Sequence, residues 1–504
     1  MKNLKYWLSI AFCGWASHAF AQTEVDALRY SQTQFGGSAR TLGIAGANTA
    51  VGADIGNLSS NPAGLGLYQQ SEANLTLGYG VTNTSSLYNG VGNAADDSRN
   101  SLHVGGFGFV FANRRADNDN TTDWRAGTFA VGMTRINDFN TNFRYAGSVN
   151  DRQSLFQRLR EPTVSNQDID DQYVNGYTNL DGLAYGAYLT NLDSAGVSTV
   201  MRNGPVQQQE SILASGGQSQ YSFAYGASYR DKLYLGGSLG IVNTRFDQTR
   251  ELTEVSSDGA VSLNSYDRLQ TRGTGFNLRI GAIYRANDLV RLGVSVQSPT
   301  WSRLTDTYSS QLNTVFTPPK QLVDDNGNVV QSIPTAATST PTNNYTYSVT
   351  SPFRANGGIA VLLSKYGFVS GDLEYANYGQ ARLNSNSASS ENYSFADENQ
   401  AVRNLYRSTV NLRLGAEGRF NIFRVRLGYA RYGDPYKTND FDRTQNYFTG
   451  GLGLRQNNFY LDLAGVYNTS NRYYSPYTLA GNLQPVINTS ANRFTTSVTV
   501  GLAF

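Results

Sequence analysis

Sulfur and imidazole are almost missing from this chain. It has one cysteine, Cys13, and two histidines, His18 and His103, too few ligands for a disulfide framework or a Cys/His metal centre. Charge is scarce as well, at 15% of the 504 residues, and beyond Lys2 and Lys5 the 38 remaining basic residues face 38 acidic ones. A chain so balanced lacks the basic surface of a nucleic-acid binder. Past the first twenty or so residues no apolar run approaches the roughly 20 residues of a spanning helix, which excludes a helical membrane protein. No cofactor is indicated: Gly43-Ile44-Ala45-Gly46 has neither the strand-turn-helix setting nor the lysine of a phosphate-cradling loop.

Glycine and aromatic residues are abundant instead, with 51 Gly, 33 Tyr and 24 Phe, an unusual mixture for a soluble globular protein of this length. The segment from Arg493 to Phe504 alternates strictly. Phe494, Thr496, Val498, Val500, Leu502 and Phe504 fall on one face; Arg493, Thr495, Ser497, Thr499, Gly501 and Ala503 fall on the other. One apolar and one polar or small face match the closing strand of an outer-membrane β-barrel, with lipid on one side and the lumen on the other. Such a strand, ending at Phe504, is expected to engage the barrel-assembly machinery.

The other end agrees. Lys2 and Lys5 precede an apolar stretch from Tyr6 to Trp15, and Ala19-Phe20-Ala21 supplies the small residues a signal peptidase reads, so residues 1–21 are expected to be a cleaved signal peptide. The competing lipoprotein signal at Cys13 places Phe12 where a small residue is normal. The destination expected is the bacterial outer membrane, with its lipids and lipopolysaccharide around the wall.

Alternating segments recur near 71–80, 101–112, 124–147, 217–230, 232–249, 270–285, 288–310, 346–364, 366–380, 404–420, 422–432, 446–456, 457–469 and 492–504. The fold class expected is all-β: a monomeric transmembrane antiparallel barrel of about 14 strands spanning 71–504. Links such as Arg230-Asp231-Lys232, Phe420-Asn421 and Gln456-Asn457 are tight and belong on the periplasmic side. Polar stretches at 81–100, 148–216, 250–269, 311–345, 381–403, 433–445 and 470–491 read as outer loops. In the longest, 148–216, Leu155, Phe156 and Leu159 have helical spacing, and a short amphipathic helix across the barrel mouth is expected. Tyrosines such as Tyr429, Tyr432, Tyr447 and Tyr467 gather near strand ends, where interfacial girdles lie.

Residues 22–70 break the two-residue pattern and are rich in Gly and Ala. A segment of this size and composition suits a plug folded inside the lumen, where small residues permit close backbone approach. Within it, Ser38-Ala39-Arg40-Thr41-Leu42-Gly43-Ile44-Ala45-Gly46-Ala47, Ala50-Val51-Gly52-Ala53-Asp54 and above all Asn61-Pro62-Ala63-Gly64-Leu65 resemble the hatch of FadL-type outer-membrane transporters. Downstream, Arg291-Leu292-Gly293-Val294-Ser295, Gly371-Asp372-Leu373-Glu374-Tyr375 and Arg413-Leu414-Gly415-Ala416-Glu417 are similar to strands of that family. The resemblance implies a fourteen-stranded barrel with an N-terminal hatch that takes up hydrophobic small molecules such as long-chain fatty acids or aromatic hydrocarbons. It implies capture among outer loops, a pocket in the barrel and release sideways through a gap at a kinked strand. The outer loops do not look like those of the fatty-acid transporters.

Alternation also sorts the charges. Asp372 and Glu374, then Arg413, Glu417 and Arg419, then Arg424 and Arg426 face inward on three successive strands, a pattern that makes a cross-strand ion network. One reading has these groups fill the lumen and anchor the hatch. The other leaves Arg413, Arg424 or Arg426 partly unpaired to hold a substrate carboxylate. Phe35, before the hatch motif, and Leu155, Phe156 and Leu159 in the long loop are candidate ligand-contact or gating residues. No metal site is expected; Asp168, Asp170 and Asp171 read as a solvated loop. Gly236-Gly237-Ser238-Leu239-Gly240 matches the hydrolase pattern, but mid-strand and with His103 as sole base, so no catalytic residue is assigned. The function expected is passive transport of a hydrophobic molecule, with a general porin as the alternative and an outer-membrane lipase as a remoter one.

Overall fold

The computed structural model describes residues 23–504 apart from 90, 117, 120, 194, 195, 200–204, 325 and 387–392; the leader expected at 1–21 lies outside the described residues. Fourteen antiparallel strands form one closed wall. They are β1 (Glu72–Tyr88), β2 (Val91–Arg114), β3 (Trp124–Asp138, continued by Thr141–Val149), β4 (Val206–Tyr229) and β5 (Leu233–Ser256). Next come β6 (Val261–Arg285), β7 (Val290–Gln297 and Trp301–Val323), β8 (Asn343–Thr350 and Arg354–Leu362) and β9 (Gly367–Asn377 and Arg382–Ser385). The wall ends with β10 (Ser408–Phe420), β11 (Phe423–Tyr432), β12 (Gln445–Gln456), β13 (Phe459–Tyr474) and β14 (Ile487–Ala503). The seam is complete: β1 and β14 pair without interruption from Glu72↔Ala503 to Tyr88↔Ile487.

The wall follows from the alternation. On β1, Leu75, Leu77 and Tyr79 are exposed while Thr76 is fully buried toward the lumen, and β11 turns Phe423, Val425 and Leu427 outward and Arg426 inward. An apolar outer band over a polar, filled interior is the arrangement a barrel needs in lipid. No helix among the described residues is long and apolar enough to cross a membrane. At one rim the turns are tight. Arg230 and Asp231 both take positive φ, as do Asn421 and Asn457, the left-handed backbone that two-residue hairpins require.

At the other rim the strands run further than the alternation indicates. The stretches 81–100, 250–269 and 311–345, expected as loops, are largely continuations of β1/β2, β5/β6 and β7, the last carrying the extra hairpin strand Val329–Ser339. Beyond the apolar band the outer strand face is largely polar and the buried inner face mixes polar groups such as Gln208 and Glu254 with Leu252 and Phe316, so the period-two signal fades while backbone pairing continues. The long connection after β3 folds into α3 (Leu155–Leu159), α4 (Asn166–Asn175) and α5 (Leu180–Gly186). Leu155, Phe156 and Leu159 are buried with Leu183, Leu252 and Phe316, and the Leu155 N–H donates to Glu254 at 2.7 Å. Asp168 accepts from Ser165 N–H as the cap of α4.

Two departures from a regular wall matter. β3 breaks at Phe139-Asn140, and its ladder with β2 covers only Gly106–Arg114 against Ala126–Thr134. Above that, the second half of β3 pairs only with β4 and sits behind β1: Thr84 Oγ1 donates to the Asn142 carbonyl at 2.7 Å, and Tyr88 stacks on Tyr145. The second departure is the N-terminal segment, α1 (Glu24–Ser31), α2 (Ala39–Gly43) and the short turns Ile55–Leu58 and Pro62–Leu67, which lies inside the ring of strands.

Candidate functional site

The N-terminal segment meets the wall backbone to backbone because the wall offers glycine. A Cβ on Gly281 would stand 1.9 Å from Asn61 Oδ1, one on Gly236 2.4 Å from the Pro62 carbonyl carbon, and one on Gly293 2.3 Å from the Thr49 carbonyl oxygen. On the far side Gly415 and Gly428 leave the same room for Ile44 and Ala45. These positions face one another across neighbouring strands, Gly236↔Gly281 and Gly415↔Gly428. Together they form a belt of side-chain-free wall.

The Asn-Pro-Ala-Gly-Leu motif is the tightest part. Asn61 caps its turn by accepting from Ala63 N–H at 3.1 Å, while its amide donates to the carbonyls of Thr49 at 2.7 Å and Ala282 at 3.3 Å. Pro62 starts the turn where no N–H is needed, and Gly64 and Leu65 are fully enclosed. Wall side chains take up other loop carbonyls: Ser370 Oγ donates to Ala47 at 2.7 Å, Thr449 Oγ1 to Gly43 at 3.0 Å and Ser295 Oγ to Ser60 at 2.7 Å. The Ala47 and Gly43 carbonyls are buried and that of Ser60 partly so, and each bond removes an orphan acceptor.

The inward charges pair. Glu417 accepts from Arg426 at 2.8 Å, Arg419 at 2.9 Å and Arg40 of the N-terminal segment at 3.3 Å. Arg426 reaches on to Asp462 at 2.7 Å. Arg413 is bound to Glu374 at 2.6 Å, which also takes Arg354 at 3.1 Å. Arg424 caps the turn, donating to the carbonyls of Asn421 and Phe423. Arg424→Gln is therefore expected to change stability by no more than about 0.5 kcal/mol, whereas Arg413→Gln, which weakens the hold on buried Glu374, is expected to cost about 1–3 kcal/mol. Thermal unfolding followed by the mobility of unheated samples in a gel separates the two.

Two cavities flank Phe35. One, of about 60 Å³, lies between the N-terminal segment and strands β3 to β10; the other, of about 80 Å³, is bounded by His103, Arg135, Asp138, Tyr447 and Arg493 beside the break in the β2–β3 ladder. Phe35 lines both, with its ring 5.2 Å from Tyr447 and parallel to Tyr432. Outward of the first cavity, α1 fills an apolar space made by Phe139, Phe246, Leu304 and Tyr347. Asp138 closes the second with Arg493 at 2.6 Å and Arg135 at 3.2 Å.

Of the sequence candidates, Phe35, Arg413 and the 61–65 motif converge on the interior, while Leu155, Phe156 and Leu159 pack in an outer cluster and Arg424 stays at the rim. Ser238 sits mid-β5 in an unbroken ladder, opposite Ala224 and Arg279. His103 is on β2, which adjoins β1 and β3 rather than β5. The nucleophile turn that a lipase needs is missing there. Sequence reasoning passed over Arg279 and Arg354, which the alternation of β6 and β8 would have marked as inward.

No family model matches the chain, and no curated protein matches it. Solved structures do. A Pseudomonas aeruginosa FadL homologue is 12% identical, with 94% of this chain and 99% of that one covered and a TM-score of 0.51. The Pseudomonas putida toluene transporter TodX is 14% identical over 94% of this chain and 100% of that one, with a TM-score of 0.50. At this identity the likeness is one of architecture, and by its fold the chain is of the FadL type.

Proposed function

We propose that the protein lies in the outer membrane of a bacterium and admits hydrophobic small molecules passively, without covalent chemistry. The reading takes residues 23–70 as a hatch, the first cavity as the receiving pocket and Phe35 as the partition between it and the second. The observation that carries it is the missing β2–β3 ladder beside the second cavity, a lateral break next to an interior space in a wall otherwise paired among the described residues. A molecule passing Phe35 would meet that break rather than the full thickness of the hatch. Small residues in the hatch and glycine in the wall permit the sliding that such passage needs. The structures with this fold include one described as a toluene transporter, which supports a hydrophobic cargo; long-chain fatty acids are a second candidate class.

The test is uptake of radiolabelled oleate and, separately, toluene by cells that lack their own transporter for each. Wild-type protein is expected to raise uptake of at least one severalfold over vector alone, and Phe35→Trp, which crowds the partition, to reduce it. Uptake equal to vector for both compounds, together with steady ohmic conductance of the wild type in planar bilayers, overturns the reading in favour of a general porin.

A further inference from the structure

The outer face of the wall carries uncompensated charge just past the end of its apolar band. On β4 to β7 that end is Tyr221, Ile241, Phe276 and Trp301, all exposed, and in register across the strands as Tyr221↔Ile241, Ile241↔Phe276 and Phe276↔Trp301. Aromatic side chains at such a level mark the edge of the hydrocarbon region. Two to four residues further along, toward the rim of long connections, the same face presents Arg303, Arg272 and Arg245. Arg245 stands directly opposite Arg272, and Arg303, opposite Thr274, is the diagonal neighbour of Arg272. Like charges so placed repel. Asp247 holds both Arg245 at 3.2 Å and Arg272 at 2.6 Å, so one carboxylate serves two guanidiniums. Arg303 is exposed and makes no hydrogen bond or ion pair among the described residues. The residues around it, Thr274, Thr305 and Ser348, are too small to cover it.

We propose that this patch is a docking surface for the phosphorylated sugar head of an outer-leaflet glycolipid, lipopolysaccharide, whose acyl chains lie along Tyr221, Ile241, Phe276 and Trp301. Guanidinium forks take phosphate oxygens in pairs, and basic groups at the lipid boundary draw anionic heads to them. Three arginines against one carboxylate leave two positive charges, which match a head bearing two phosphates better than the single phosphodiester of a glycerolipid. In the outer-membrane reading the rim of long connections faces away from the cell, so the patch meets the outer leaflet. The inference rests on that placement and not on the uptake of any cargo.

The experiment is native mass spectrometry of the full detergent-purified chain with bisphosphorylated lipid A, its dephosphorylated form and phosphatidylglycerol, beside sedimentation of the protein with separated inner and outer membranes. Wild type is expected to retain bisphosphorylated lipid A about tenfold more than either other lipid, the effect of one charge-assisted hydrogen bond, and Arg303→Gln to erase most of that preference. Thr274→Glu, which sets a carboxylate between Arg303 and Arg272, is expected to erase it with every arginine in place, and covers the case in which Arg303→Gln does not fold. Arg431→Gln, at an exposed position on the outer face of β11, is expected to leave it unchanged. Equal retention of the two lipid A forms, a preference that survives both Arg303→Gln and Thr274→Glu, or an equal loss in Arg431→Gln overturns the site. Retention of phosphatidylglycerol equal to that of lipid A, with the same dependence on Arg303, overturns the glycolipid and assigns the patch to phospholipid. Any of these with the protein in the outer-membrane fraction leaves the placement standing, whereas its absence from that fraction overturns the placement and this inference with it.

Discussion

Gly281→Val is expected to convert a closed barrel into a conducting one. The added Cβ would lie 1.9 Å from Asn61 Oδ1, so the Asn61 side chain must leave and its bonds to Thr49 and Ala282 go with it. Overpacking of this kind costs about 1–3 kcal/mol, and each lost buried hydrogen bond adds about 1 kcal/mol. Together they shift the balance between the seated and unseated N-terminal segment by two orders of magnitude or more, at about 1.4 kcal/mol per factor of ten. The wall itself is untouched, because the strand on either side keeps its ladder. Planar-bilayer recording is expected to show steady current for Gly281→Val and none for wild type. Gly357→Val, where nothing lies within 4 Å of the new Cβ, is the control. Current in the control, or silence in Gly281→Val that retains wild-type gel mobility, shows that the glycine belt does not seat the N-terminal segment.

Glu417→Gln is expected to be the most damaging single charge change. Its carboxylate is 2% exposed and holds Arg426, itself fully buried, together with Arg40 and Arg419. Removing it leaves Arg426 with Asp462 and strands Arg40 beside Asp54 at 4.0 Å. Breaking a buried ion network on one side costs about 3–5 kcal/mol, far more than the network contributes over an apolar filling. The temperature at which the folded form disappears from unheated gels is expected to fall sharply. Arg40→Met in the same background should recover part of the loss, since it removes one stranded charge, and the double-mutant cycle measures that coupling. Strict additivity of the two changes would place Arg40 outside the network.

The wall is plain in the sequence because its outer face is apolar: Phe423, Val425 and Leu427 point outward and the residues between them face a filled lumen. Above the band that constraint lifts, and Gln207-Gln208-Gln209 or Thr249-Arg250-Glu251 pair as strands without any pattern to announce it. The N-terminal segment is legible as an interruption and as the motif at Asn61, yet its seating is not. It depends on glycines such as Gly236 and Gly281 meeting across strands, a relation between registers that no single segment contains. The same limit hid Arg279. Inward charge is readable from alternation, whereas which charge meets an opposite one and which, like Arg279, bonds only to neutral oxygens is a property of the assembled ring.

The closing strand also sets an order of events. The Ala39 N–H donates to Thr499 Oγ1 across 460 positions of chain, and Thr499 in turn bonds Thr76 on β1. Closing a loop of that length costs about 5 kcal/mol in chain entropy, which one hydrogen bond does not repay. Contact with β14 is therefore a late event that draws its energy from the seventeen-residue ladder with β1. A nascent barrel held open at that seam has a gap through which the N-terminal segment can be seated, and zipping β14 to β1 seals seam and contents in one step. Maturation of such a protein is governed by its slowest and most distant contact, so an arrest just short of closure would accumulate a species with thirteen of the fourteen ladders formed and the N-terminal segment still accessible to protease.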